Sequence, residues 1–164
     1  RNNAVFAIES ERTSRILFDR YCDEMKIPSS NRVFFHANDE NGNPIYHTNV
    51  IMSIGNGFAV ICSECIESRE RREVMTKLEE LRLETVNITY SQLKSFCGNI
   101  LNVKNNNGDS LIVLSASAMW NFEDRQVEVL QKYGRLVEVN INTIETVGGG
   151  SARCMMAEIF LPKK

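Results

Sequence analysis

No apolar run in this chain approaches the roughly 18 residues that a membrane-crossing helix needs, and no basic segment leading into an apolar core opens it. The expectation is a cytoplasmic protein without a membrane partner. Blocks of like charge are missing too. The 19 Lys and Arg are balanced by 21 Asp and Glu, a formal net charge of -2, whereas a phosphate-binding face needs concentrated positive charge, so nucleic acid is excluded as a partner. The ERRE run from Glu70 to Glu73 is mixed in sign and reads as a solvated helix face. Histidine is scarce, which confines imidazole chemistry to His36 and His47. The five cysteines are an odd number, and Cys22, Cys62 and Cys97 stand in apolar surroundings that suit buried thiols in a reducing compartment rather than disulfides. An initial Met is also lacking: the chain opens on Arg1 and runs almost at once into an apolar, strand-like stretch, as a trimmed or processed piece of a longer protein would. What remains, 164 residues with 43% hydrophobic and 24% charged, suffices for one domain, 1–164, with a sizeable core.

Helical spacing occurs three times. Thr13 or Ser14 can cap a helix whose Leu17, Tyr21 and Met25 recur at i, i+4, i+8 and which Pro28 closes. Ser68 can cap a second, with Val74, Leu78 and Leu81 on one face and a Glu73–Lys77 pair at i, i+4. Asn121 can cap a third, with Val127 and Leu130 inward and Gly134 at its C-terminal end. A strand-like run follows each: NRVFFHA, ETVNIT and RLVEVNI. Between them lie two hairpins, one turning at Gly55-Asn56-Gly57 and one around Asn106-Asn107-Gly108. The order strand, strand, helix, strand thus repeats, with helix starts about 54 residues apart, which predicts an α/β fold of ββαβ modules arranged around an axis. Two to three modules would leave a ring or propeller incomplete.

Three groups of residues bear on chemistry. Three consecutive glycines, Gly148 to Gly150, precede Cys154; such a turn either aims a thiol at a small molecule or ends a surface loop before a last strand. His47 follows a turn-rich stretch at the entry to an apolar run, where rigid scaffolds display functional groups, whereas His36 alternates with Phe35 and reads as a satisfied sheet histidine. Cys62-Ser63-Glu64-Cys65 is a C-x-x-C. A zinc site would need a second pair, which is absent, and a redox pair would stand exposed at a helix N-terminus, whereas Cys62 ends an apolar run. No metal or cofactor is read. Together, His47 and Cys154 make a possible thiol nucleophile with a proton shuttle, and their chemistry alone is silent on the substrate.

The segments HTNVIMSIG from His47, FCGNILNV from Phe96 and VGGGSARCMMAEIFLP from Val147 resemble the amidinotransferase or citrulline-utilisation branch of the guanidino-group-modifying enzymes, the pentein superfamily. The resemblance spans essentially the whole chain. It implies a five-bladed α/β propeller of ββαβ modules, of which this chain would be the C-terminal half. It also implies that Cys154 attacks a guanidinium or ureido carbon to give a covalent thiouronium-type intermediate. His47 would protonate the leaving amine and then activate the water or amine that releases the product. Gly149 and Gly150 would let a planar head group lie beside the thiol, with Asn49 binding substrate and no cofactor needed.

Two departures accompany the resemblance. Where relatives carry His-x-Asp this chain has Asn49, which can hydrogen-bond a ureido oxygen or a guanidinium N–H but forms no ion pair. The acidic residue expected upstream of His47 has no clear counterpart, since Glu9, Glu11 and Asp39 lack the expected glycine-flanked context. The implied partner is a small guanidino or ureido molecule, and a homodimer would cover edges left open by absent modules. Deiminase, ureido hydrolase and amidino transfer stay open, as does a pentein binding module without catalysis, although such binders lack the Cys and His kept here.

Overall fold

The computed structural model describes residues 4–159. Strand β1 (Val5–Ile8) runs into helix α1 (Arg15–Glu24) and returns as β2 (Arg32–Phe35), parallel to β1. A one-turn helix, α2 (Thr48–Ile51), leads into the hairpin of β3 (Met52–Ile54) and β4 (Phe58–Ile61). Helix α3 (Ser68–Glu80) then brings the chain back as β5 (Glu84–Asn87), parallel to β4. After α4 (Tyr90–Lys94) the plan repeats. Strands β6 (Leu101–Lys104) and β7 (Ser110–Ser115) form a hairpin, helices α5 (Ala116–Asn121) and α6 (Asp124–Gln131) follow, and β8 (Arg135–Val139) lies parallel to β7. Helix α7 (Asn142–Gly148) and a 3-10 turn, Ala152–Met155, complete the described chain.

The ββαβ module is therefore present twice in full, with a βαβ unit before it, and the three principal helices start at Arg15, Ser68 and Asp124. Each sheet is separate, with orders β1-β2, β3-β4-β5 and β6-β7-β8, and among the described residues they do not close into a ring. The middle strands explain the core. All four residues of β4 are buried, as are the last four of β7, because a parallel crossover lays a helix over a strand already flanked on both sides. One apolar cluster joins these two modules through Ile61, Leu78, Ile100, Ile112 and Leu130, among others. A small satellite of Phe18, Cys22 and Ile27 sits under α1.

That satellite corrects the reading of α1. Ser14 caps the helix through its side chain as expected, accepting from the Leu17 N–H, yet Leu17 is 63% exposed, and Tyr21 and Met25 also face solvent. The buried row is Phe18 and Cys22, one residue further on, with the Phe18 ring 5.0 Å from that of Phe34. Elsewhere the caps move by a residue or two. Glu67 rather than Ser68 precedes α3, and the third principal helix is capped by Glu123 in a reciprocal box with Gln126, because Asn121 ends the intervening α5. Lys77 pairs with Glu80 instead of Glu73. No helix among the described residues is long and apolar enough to cross a membrane.

Candidate active site

Gly98 fixes the floor of the site. A Cβ there would stand 2.4 Å from the Val50 carbonyl oxygen, so only glycine lets the segment after α4 press against the end of α2. Ser53 ties the same two segments, its hydroxyl lying 2.6 Å from the Gly98 carbonyl and 2.8 Å from that of Ile100. This close approach delivers the next residue, Asn99, to the centre of the site. Asn99 is only 4% exposed. Its Nδ2 donates to the Asn49 carbonyl at 3.1 Å and lies 3.3 Å from the Cys154 sulfur. Its Oδ1 is 3.5 Å from the same sulfur, within reach of the thiol hydrogen. The three segments singled out in the sequence, from His47, from Phe96 and from Val147, therefore meet at one side chain.

The turn that carries Cys154 is held from both ends. Helix α7 stops at Gly149, which adopts a left-handed conformation, φ +68°, and donates its N–H to the Glu145 carbonyl. Gly150 follows; a Cβ there would lie 3.2 Å from Cys154 Cβ and 3.4 Å from its sulfur, so its missing side chain is the space the thiol uses. The Glu145 carboxylate is buried, accepting from Ser151 at 2.6 Å and from Ser117 at 2.7 Å. Burial pushes its carboxyl up, but hydrogen bonds from Ser115, Ser151 and Ser117 outweigh that and hold it below the usual value. On the other side Arg153 donates to the Met52 carbonyl and to Ser53 Oγ, both at 3.1 Å. Between these anchors Cys154 is the one exposed cysteine of the five.

His47 stands at the N-cap of α2, so that one helical turn separates it from the apolar strand β3 it was expected to enter directly. Its own segment is fixed to β1, since the Ile8 N–H donates to Thr48 Oγ1 and Ser10 Oγ donates to the Tyr46 carbonyl. The exposed imidazole packs edge-on to Tyr46, and Arg12, stacked over the Tyr46 ring, donates to Nε2 at 3.1 Å. Because a guanidinium has no acceptor, Nε2 accepts in this arrangement. The His47 segment is thus joined to Cys154 through the Asn49 carbonyl and Asn99, while the ring nitrogen itself is engaged by Arg12. Asn49 contributes its main-chain oxygen to this link.

The remaining candidates are committed to structure. His36 is clamped between Glu9, 2.9 Å from Nε2, and Glu70, 3.0 Å from Nδ1, and the hydrogen bond to Glu70 raises its proton affinity above the ordinary value. Placed directly after β2 rather than within it, His36 is the satisfied histidine the alternation suggests, with Glu9 and Glu70 as its partners. Asp39 spends its carboxylate on a turn, accepting from the Asn43 and Asn41 main-chain N–H groups and from Asn43 Nδ2. Its carboxyl is held below the usual range chiefly by the Asn43 main-chain N–H. Cys62 and Cys65 are both buried, their sulfurs 3.0 Å apart. Asn99, Glu145, Arg153 and Arg12 are the residues that sequence reasoning did not single out.

Over residues 1–161 the chain matches the family model described as N,N dimethylarginine dimethylhydrolase, eukaryotic. No curated protein matched it. Among solved structures it is similar to ArgZ, an arginine dihydrolase of the cyanobacterial ornithine–ammonia cycle. The N-terminal domain of ArgZ bound to substrate aligns with a TM-score of 0.70 and 14% identity, covering 92% of this chain and 49% of that one. The same domain covalently bound to a reaction intermediate gives 0.70 and 15%, covering 93% and 50%. AgrE in a ternary complex with ornithine and NAD+ gives 0.70 and 16%, covering 99% of this chain and 21% of that chain. The chain spans half or less of the length of these structures, and the likeness is one of fold, a mixed α/β architecture.

Proposed function

Because the chain belongs to the N,N-dimethylarginine dimethylhydrolase family of the pentein superfamily, we propose that it supplies the nucleophile and the proton shuttle of a C–N hydrolase acting on an arginine-like or citrulline-like small molecule. One observation carries this reading: the exposed Cys154 thiol is bound to a buried amide, Asn99, whose other contact is the backbone of the His47-Thr48-Asn49 segment. A thiol on the surface for no purpose does not need a buried polar partner that also reaches a histidine segment far away in sequence.

In the proposed reaction the Cys154 thiolate adds to the planar carbon of the guanidino or ureido group, forming a C–S bond. His47, protonated from solvent once Arg12 has left Nε2, gives that proton to the departing amine as the C–N bond breaks, leaving a thiouronium adduct from a guanidino group or a thiocarbamate from a ureido group. His47 then takes a proton from water, which adds to the same carbon, and the C–S bond breaks to return the thiolate. For this, Nε2 of His47 exchanges Arg12 for substrate. Gly150 leaves the space beside the sulfur, and Gly149 and Asn49 border the place for the planar head group. The motif resemblance to the citrulline-utilisation and amidinotransferase branch supports a ureido or guanidino substrate whose amine leaves to water or to an acceptor amine.

The test is product analysis by mass spectrometry after incubating full-length protein with arginine, citrulline, agmatine and the methylated arginines. We expect one of them to lose an amine, and the Cys154→Ser variant to be inactive on it. Turnover that survives Cys154→Ser refutes the reading, as does inertness toward the entire panel.

A further inference from the structure

We propose that Asn99 is a third catalytic residue of this site: its side-chain amide holds the Cys154 sulfur and donates to the thiolate as it attacks. This rests on the reading of Cys154 as nucleophile and adds to it a group that neither the motifs nor the resemblance assigned a role.

The orientation of the amide is not arbitrary. The Asn49 carbonyl can only accept, so the Asn99 atom 3.1 Å from it must be the nitrogen. That contact uses one Nδ2 hydrogen and leaves the second for the sulfur at 3.3 Å. Oδ1 is left at 3.5 Å from the same sulfur. The thiol therefore meets a donor and an acceptor at once. As S–H it gives its hydrogen to Oδ1; once the proton has left to solvent the sulfur only accepts, and Nδ2 donates to it. A hydrogen bond to a charged partner is the stronger of the two, so the amide binds the attacking thiolate more firmly than the resting thiol.

The surroundings make this bond effective. Asn99 is buried, so water does not compete for its hydrogens from behind, and Gly98 fixes its backbone against Val50. The neighbouring Arg153 guanidinium is spent on the Met52 carbonyl and Ser53 Oγ. Direct donation to the sulfur thus falls to Asn99.

The experiment is the rate of Cys154 alkylation by iodoacetamide, followed at the peptide level from about pH 6 to about pH 10 and requiring no substrate. It compares wild type with Asn99→Ser, Asn99→Ala and Asn99→Asp, each checked for folding by circular dichroism. Near neutral pH, Asn99→Ala is expected to label about tenfold more slowly than wild type. Asn99→Asp, which sets a negative charge beside the sulfur, labels more slowly still, and Asn99→Ser, which keeps a donor, falls between Ala and wild type. At the alkaline end the rates converge. Wild-type labelling in the folded variants overturns the proposal, as does equal slowing at every pH, the signature of a purely structural role. If Asn99→Ala does not fold, the order of Ser and Asp decides. A turnover-competent Cys154→Ser with the labelling order intact would sink the nucleophile reading and leave the Asn99–thiol contact standing.

Discussion

Ser151 donates to the buried carboxylate of Glu145 at 2.6 Å, so the loop of three glycines is closed at its base by one hydrogen bond between its two ends. The thiol turn begins directly after that bond, with the Cys154 N–H donating to the Ser151 carbonyl. Replacing Glu145 by Leu leaves the buried Ser151 hydroxyl without its acceptor, at a cost of about 1–3 kcal/mol. Urea unfolding of Glu145→Leu checks the cost, and Cys154 alkylation of the folded variant checks that the turn has loosened.

Glu145 and His36 give opposite pH dependences. Glu145 is held below the ordinary carboxylate value, so its contribution to stability is complete above about pH 4.3 and is lost as pH falls through its folded value. His36 is raised above the ordinary imidazole value by Glu70, so its contribution is present below about pH 6.5 and is lost as pH rises through its folded value. The thermal midpoint of wild type should therefore exceed that of Glu145→Gln at neutral pH and approach it in acid. Its margin over His36→Gln should shrink from acid toward alkaline pH. Either margin moving the other way contradicts the assignment.

The cysteines separate function from packing. Cys154 is exposed, so Cys154→Ala should abolish turnover and leave the unfolding midpoint close to wild type. Cys62, fully buried at the end of β4, should on replacement by Ala cost on the order of 1–2 kcal/mol and keep activity per folded molecule. Reversed results would move the nucleophile to Cys62.

Two glycines divide in the same way. A Cβ at Gly98 meets a backbone oxygen that cannot step aside, and Gly98→Ala should lose about 1–3 kcal/mol of stability. At Gly150 the added carbon meets only the Cys154 side chain, at 3.2 Å. Gly150→Ala should fold normally and lose activity, because the thiol is what gives way. Denaturation curves beside turnover rates on both variants check the contrast.

Much of this architecture was legible because periodicity fixes it. Leucines and valines at helical spacing located α3 and α6, and apolar runs on either side of Gly-Asn turns located both hairpins. The face of α1 was not legible, because Leu17, Tyr21, Met25 and the row Phe18, Cys22 are both apolar and differ by one residue of rotation; only β1 and β2 decide which is covered. Asn121 misled as a cap because α5 intervenes after β7, which spacing cannot reveal. At the site, Cys154 and its glycines stood out locally. Asn99 did not, since its partners, Asn49 and Cys154, lie about fifty residues away on either side, and a buried amide is recognised by what it touches. Asp39 lacks the context of the missing acid in sequence, and the structure gives the reason: its carboxylate is spent on its own Asn-Gly-Asn turn.

The central claim is that Cys154 forms a bond to substrate carbon. Full-length protein should be mixed with the substrate that gives product, quenched in acid within the first turnovers, digested and mapped by mass spectrometry. A mass increment equal to the substrate less its leaving amine, on the peptide carrying Cys154 and absent in Cys154→Ser, is the predicted result. Turnover with no adduct on Cys154 at any quench time, or an adduct on another residue, would contradict it.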